Sequence, residues 1–252
     1  GSTGVLCELE LVCLFYEALS ALQIPQFRIL VNDRRILSGM AEHLGIGERL
    51  TEWTVTIDKA DKIGTEGVCK ELGERGFSDA VQAGTTALFA ARPAGIEGME
   101  ALSEQFPVAA VQEGVAALKA LWNLAKAEGV QEPELVFAPG LARGLDYYTG
   151  AIFETFLDDL PGIGSCCSGG RYDDLATVYT KQHLPGVGAS LGVDRLLAAM
   201  EELGMIEAQA APCSVFMPML ESDRLGDYLA LAQELRAAGL GVELYPEPRK
   251  LG

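Results

Sequence analysis

The sequence predicts an α+β protein: an antiparallel sheet of short strands, interrupted by a long helical stretch and followed by the beginning of an α/β unit. Three observations predict it. Apolar runs of strand length stand at 27–31, 135–138, 151–156 and 187–191. Between the first two of them, from about Arg49 to Glu128, the periodicity is mainly helical. After a run of small residues, Ala208 to Pro212, one strand, one helix and one strand pattern follow in order.

Taken in order, Val5 to Leu22 reads as a helix with a broad apolar face (Leu6, Leu9, Val12, Leu14, Leu19, Leu22) ended by Pro25. Phe27 to Val31 is a short strand. Asn32 or Asp33 caps a helix over Arg34 to Leu44, and Gly45 stops it. The helical stretch holds a Lys-Asp-rich segment, a helix over Glu66 to Arg75, a polar stretch near Gly95 and a helix over Val108 to Glu128. Asp194-Arg195 opens an amphipathic helix running to about Leu203. Beyond the small-residue linker, Ser214 to Met219 is an apolar strand, Arg224 to Ala238 a helix and Val242 to Tyr245 a second strand. That single crossover is too small to bury both of its faces. The boundaries are therefore 1–207 for the first domain, with a helical insertion over about 48–130, and 213–252 for the start of the second.

Chemistry concentrates in three segments. In RGLDYYTG, Arg143 to Gly150, one permanent cation, one carboxylate and two phenols lie directly before the strand at 151–156. Alternation would let Arg143 and one tyrosine line a single floor and send Tyr147 to the opposite face. An Arg aimed at a buried floor is costly unless an anion meets it. A β-hairpin with a structural Arg–Asp pair accounts for this segment alone equally well. In CCSGGRYDDL, Cys166 to Leu175, Gly169-Gly170 lets the backbone approach a ligand closely before Arg171, Tyr172 and Asp173. In PGVGASLGVDRLL, Pro185 to Leu197, small residues along a strand leave room for a flat ligand, and an Arg opening the next helix suits phosphate. The glycine spacing there is not a dinucleotide fingerprint.

In this order the three segments resemble histidyl-tRNA synthetase, a class II aminoacyl-tRNA synthetase. RGLDYYTG and SGGRYDDL resemble the two histidine-specific motifs, and the Arg195 segment resembles the third class II signature motif. FRILVNDRRILSG (27–39) and IDKADKIGTEGVCKEL (57–72) are similar to further family segments. The resemblance implies a class II synthetase-like antiparallel sheet with a helical insertion near the tRNA acceptor end, then the start of an anticodon-binding domain. It implies activation of L-histidine with ATP, Mg2+ accompanying the nucleotide, and transfer to the 3′ end of tRNA(His) by a homodimeric parent. On matching positions, Arg143 is the catalytic arginine and also contacts histidine, Tyr148 and Tyr172 enclose the imidazole, and Arg195 with Gly192 serves ATP. Gly1 to Thr3 aligns just past the second class II motif. The chain is therefore expected to be an internal piece of a longer protein, inactive alone. A rival reading is the synthetase-like regulatory subunit of ATP phosphoribosyltransferase, which senses histidine without aminoacylation. The presence of Arg143, the Lys-rich IDKADKIG segment and the terminal β-α-β favour the ligase.

Composition fits an enzyme of a reducing compartment. The chain has 252 residues, 49% of them hydrophobic, enough for a sizeable core. No apolar run is long enough to span a bilayer and no leader is evident, so a cytoplasmic location is expected. Six scattered cysteines without a C-x-x-C pair, and two histidines, argue against a structural metal site. A formal net charge of −17 opposes non-specific binding to a polyanion. The basic clusters (Arg34-Arg35, Lys59 with Lys62, Arg249-Lys250) read as ordinary solvated charges.

Overall fold

The computed structural model describes residues 2–91, 95–142, 147–206, 213–245 and 247 of the chain. These fall into two compact units, 1–199 and 200–252. The linker expected at Ala208 to Pro212 lies outside the described residues.

In the first unit, α1 (Leu6–Ala21) buries Leu9, Val12, Phe15 and Leu19, spaced to form one stripe. The stripe is narrower than expected, for Leu6, Leu14 and Leu22 are exposed. Nor does Pro25 end the helix. Gln23 takes a left-handed φ of 59°, the Ile24 N–H donates to the Leu19 carbonyl at 3.1 Å, and that of Gln23 to Ser20 at 2.9 Å. This pair of bonds closes the last turn two residues before the proline.

Strand β1 (Phe27–Asp33) runs two residues further than its apolar pattern suggests. Asp33 ends the strand and caps α2 (Arg34–His43), its carboxylate accepting from the Arg35 N–H at 2.9 Å. Gly45, at φ 69°, stops that helix as expected. Five helices follow: α3 (Leu50–Ile57), α4 (Ala60–Glu74), α5 (Asp79–Ala90), α6 (Gly95–Gln105) and α7 (Ala109–Ala127). Gly64 breaks α4, separating a short Lys-Asp turn from the helix proper.

The remaining strands are β2 (Leu135–Phe137), β3 (Ala151–Leu157), β4 (Cys167–Arg171) and β5 (Val187–Leu191), in the sheet order β2-β1-β3-β4-β5. β4 has no counterpart among the expected strands. The sheet is not wholly antiparallel either: β2 runs parallel to β1, Leu30 facing Val136. Parallel neighbours need a long crossover, and the helical stretch between them supplies it. One sheet face, bearing Ile29, Val31, Phe153 and Leu157, is buried, with α1 and α7 packed along these strands. Helix α8 (Val193–Glu202) follows β5. The second unit pairs β6 (Val215–Met217) in parallel with β7 (Val242–Leu244), joined through α9 (Leu225–Ala237). Its buried side chains are few, chiefly Met217, Met219 and Ala232.

Candidate active site

Residues opposite one another in paired strands share a face, so the register defines the other side of the sheet. Leu30 faces Glu154, Glu154 faces Ser168, and Ser168 faces Ser190. The next row runs Asn32, Ile152, Gly170 and Gly188. This face is polar at its centre, small towards β5 and apolar towards β2.

Three phenols stand on it. The Tyr147 and Tyr148 rings meet edge-on at 4.9 Å, Tyr147 and Tyr172 at 5.9 Å, and Tyr148 and Tyr172 lie 6.4 Å apart. Tyr147 thus joins the cluster and does not turn to the opposite face. It and Tyr148 precede β3 in a turn, where strand alternation does not apply. Burial pushes the Tyr148 phenol up to about 12, with the neighbouring Tyr147 adding to the shift by charge and hydrogen bonding.

The glycines on this face make room for these rings. A Cβ on Gly170 would come within 2.8 Å of the Tyr148 ring. One on Gly186 would lie 2.5 Å from the Tyr172 ring, and one on Gly188 2.4 Å from its hydroxyl. The space anticipated for a flat ligand over 186–188 is therefore occupied by Tyr172. Gly192 has a similar explanation: it donates its N–H to the Cys166 carbonyl at 2.7 Å, and a Cβ would approach that oxygen at 3.0 Å. Arg195 bonds the same loop, its Nη1 donating to the Ser165 carbonyl at 2.5 Å, while the side chain is exposed. Gly192 and Arg195 both tie the start of α8 to residues 165–166. Arg143 and Asp146 lie outside the described residues.

Arg171 is held by the chain itself. Its Nε donates to Glu8, and its Nη1 donates to Asp173 at 2.9 Å and to the Ser2 carbonyl at 2.9 Å. The hydrogen bond to Glu8, ahead of that to Asp173, raises the guanidinium above its ordinary value, so it remains a cation. Asp173 also accepts from the Gly186 N–H at 3.1 Å, and the Tyr172 N–H donates to the Gly186 carbonyl at 2.8 Å. The backbone of Tyr172 is thereby fixed on both sides. Glu8 escaped the sequence reading, although its signal was present: a carboxylate directly beside the apolar stripe of α1 needs a buried cation.

Towards β2, Asp58 and Asp61 of the IDKADKIG segment line a pocket with Leu30, Phe89, Glu154 and Phe156. Phenols that donate or accept, carboxylates and apolar walls on one sheet face suit a small cationic or heteroaromatic ligand. Cations read from the sequence as ordinary solvated charges are instead engaged: Arg35 with Asp33 at 2.7 Å, Lys59 with Glu71 at 2.6 Å, and Arg34 with the Ala142 carbonyl at 3.1 Å. Among the described residues no cluster of three or more His, Cys, Asp or Glu is placed to hold a metal ion, and no helix is long and apolar enough to cross a membrane.

A mostly antiparallel sheet with one face open to ligand and the other backed by helices is the core of a class II aminoacyl-tRNA synthetase, and solved structures agree. The chain superposes over its whole length on 60% of histidyl-tRNA synthetase from Nostoc sp. PCC 7120, at a TM-score of 0.75 and 28% identity. A protein from Bacillus halodurans described as an ATP phosphoribosyltransferase regulatory subunit/histidyl-tRNA synthetase shares the fold, at a TM-score of 0.68 and 20% identity over 97% of this chain and 60% of that one. The histidyl-tRNA synthetase family model matches residues 1–196. Histidine–tRNA ligase from Rhodopirellula baltica is 46% identical over 100% of this chain, and that from Wolinella succinogenes 38% over 99%. The chain belongs to the histidyl-tRNA synthetase family. It spans 58% of the length of each of these two relatives.

Proposed function

We propose that this chain carries the histidine-recognition face of a histidine–tRNA ligase, which activates L-histidine with ATP and transfers it to the 3′ end of tRNA(His). The observation that carries the reading is the three-tyrosine cluster standing over Gly170, Gly186 and Gly188 in a chain of this family. A phenol donates to or accepts from an imidazole nitrogen while its face packs on the ring, so Tyr148 and Tyr172 are assigned to the histidine side chain.

Activation joins two anions, the histidine carboxylate and the α-phosphate of ATP, so the protein's work is charge stabilisation and alignment. Arg143 is assigned to the developing charge, where a guanidinium fork serves better than an ammonium. Arg195 is assigned to ATP: one of its nitrogens is used by Ser165, and the rest of the fork is left to meet phosphate. Mg2+ would enter with the nucleotide and neutralise phosphate charge. The intact protein is assigned to the cytoplasm as a homodimer.

Histidine-dependent ATP–pyrophosphate exchange by the intact protein tests this. Exchange with histidine and not with other amino acids supports the ligase. Arg143→Ala should lower turnover on the order of a hundredfold with little change in histidine affinity. Histidine binding without exchange would favour the regulatory-subunit reading instead.

A further inference from the structure

β1 is a central strand, and most of its residues are buried and apolar. Asn32 is the exception that its own strand does not explain. It is fully buried, and both amide hydrogens leave the sheet: Nδ2 donates to the Pro139 carbonyl at 2.9 Å and to the Leu141 carbonyl at 3.0 Å. Its Oδ1 has no hydrogen-bond partner among the described residues. An apolar side chain would fill a central strand without leaving a buried oxygen unsatisfied, so the amide is retained for what its nitrogen holds.

Two residues on, Arg34 acts on the same stretch of chain at both ends. Its Nη1 donates to the Ala142 carbonyl at 3.1 Å, and its backbone N–H donates to the Gly150 carbonyl at 2.9 Å. Arg34 is itself fixed, being the first residue of α2 behind the buried Asp33 cap. Four carbonyls flanking one segment, those of 139, 141 and 142 before it and 150 after it, are therefore held by two residues, Asn32 at the end of β1 and Arg34 at the start of α2, with the buried Asp33 cap between them. That segment carries Tyr147 and Tyr148.

We propose that Asn32 and Arg34 are positioning residues of the histidine site: by holding the carbonyls of residues 139, 141, 142 and 150, on either side of Tyr147 and Tyr148, they keep these two rings facing Tyr172. The assignment of the tyrosines to histidine rests on the function proposed above; the clamp itself rests on the four carbonyls. It gives a task to the end of β1 and the start of α2 in FRILVNDRRILSG, whose Leu30 already lines the pocket towards β2. It also separates two supports of the site, with Arg171 fixing Tyr172 from one side and Asn32 and Arg34 fixing its ring partners from the other.

The test uses the intact protein with 3-fluorotyrosine at every tyrosine, resonances being assigned with single Tyr→Phe variants, and histidine as the titrant. Asn32→Leu removes both side-chain donors; Arg34→Met removes one and keeps the backbone bond; Arg34→Lys restores a cation. The clamp predicts that Asn32→Leu and Arg34→Met shift the Tyr147 and Tyr148 fluorine signals and leave Tyr16, Tyr228 and Tyr245 in place. Arg34→Lys should return the signals towards the native positions. Histidine affinity should fall about tenfold in Arg34→Met, the scale of one lost hydrogen bond to a charged group. Unchanged Tyr147 and Tyr148 signals in a variant whose Tyr16 signal is native would overturn the clamp. Shifted signals with native histidine affinity would uphold the clamp and sink the assignment of these tyrosines to histidine. Should Asn32→Leu lose the Tyr16 signal as well, Arg34→Met, altered at a half-buried position, decides.

Discussion

Gly188→Ala is the perturbation whose sign depends most sharply on the arrangement of the site. Gly188 does not have a positive φ, so alanine meets no backbone strain there. What it meets is Tyr172: the new Cβ would sit 2.4 Å from the phenol oxygen and 3.2 Å from the ring. Ordinary contact needs roughly 1 Å more, and the ring is hemmed in by Gly186 beneath and Tyr147 and Tyr148 beside it. Forcing a methyl into such a contact costs about 1–3 kcal/mol. Against it stands the gain of about 0.4–1 kcal/mol from restricting the unfolded chain. The variant should therefore lose on the order of 1 kcal/mol. Once Tyr172 is replaced by alanine the clash disappears and only the gain remains, so the same substitution should then stabilise. The assay is a double-mutant cycle in urea, with Gly188→Ala measured in the native and Tyr172→Ala backgrounds. A coupling of about 1–3 kcal/mol with reversal of sign is expected. Equal effects in both backgrounds would refute the placement of Tyr172 over β5.

The Tyr148 phenol should make stability depend on alkaline pH. Its folded value of about 12 lies above the ordinary value near 10, so the folded chain holds a proton that the unfolded chain has released between those values. Its contribution is complete below pH 10 and is lost as pH rises towards 12; Tyr148→Phe should flatten that decline in urea titrations, and an unchanged slope would argue against a buried phenol. Arg171→Met strands Glu8, whose side chain is 9% exposed, and should cost about 3–5 kcal/mol, with Glu8→Leu/Arg171→Met costing less than the single change. A single-variant cost below about 1 kcal/mol would show that the pair is not desolvated. Gln23→Gly relieves a left-handed residue at an exposed helix end and should raise stability by about 1 kcal/mol, a melting shift of a few degrees; a loss would contradict the α1 ending.

Much of the fold was legible because periodicity and stop signals coincide. Asp33 before Arg34, and Gly45 after Leu44, bound α2 in sequence as in space. β4 was not legible, since CSGGR carries two glycines and no apolar alternation; it is a strand because β3 and β5 bond its backbone on both sides. The direction of β2 was hidden for a related reason, a three-residue run giving no sign of which neighbour it will pair with. At the site, the tyrosines were legible as residues but their arrangement was not. Alternation misplaced Tyr147, and Gly170, Gly186 and Gly188 were read as room for ligand where tyrosine rings stand. The Glu8–Arg171 pair and the Asn32 bonds join residues far apart in sequence; a local pattern can flag Glu8 as a buried carboxylate but does not encode which residue it meets.

The central claim is that this tyrosine face receives histidine, and calorimetric titration of histidine into the intact protein and its Tyr172→Ala variant tests it most directly. Losing the packed ring and one buried hydrogen bond should weaken binding by roughly 1–3 kcal/mol, a five- to 150-fold rise in Kd. Native affinity in a folded Tyr172→Ala protein would contradict the account.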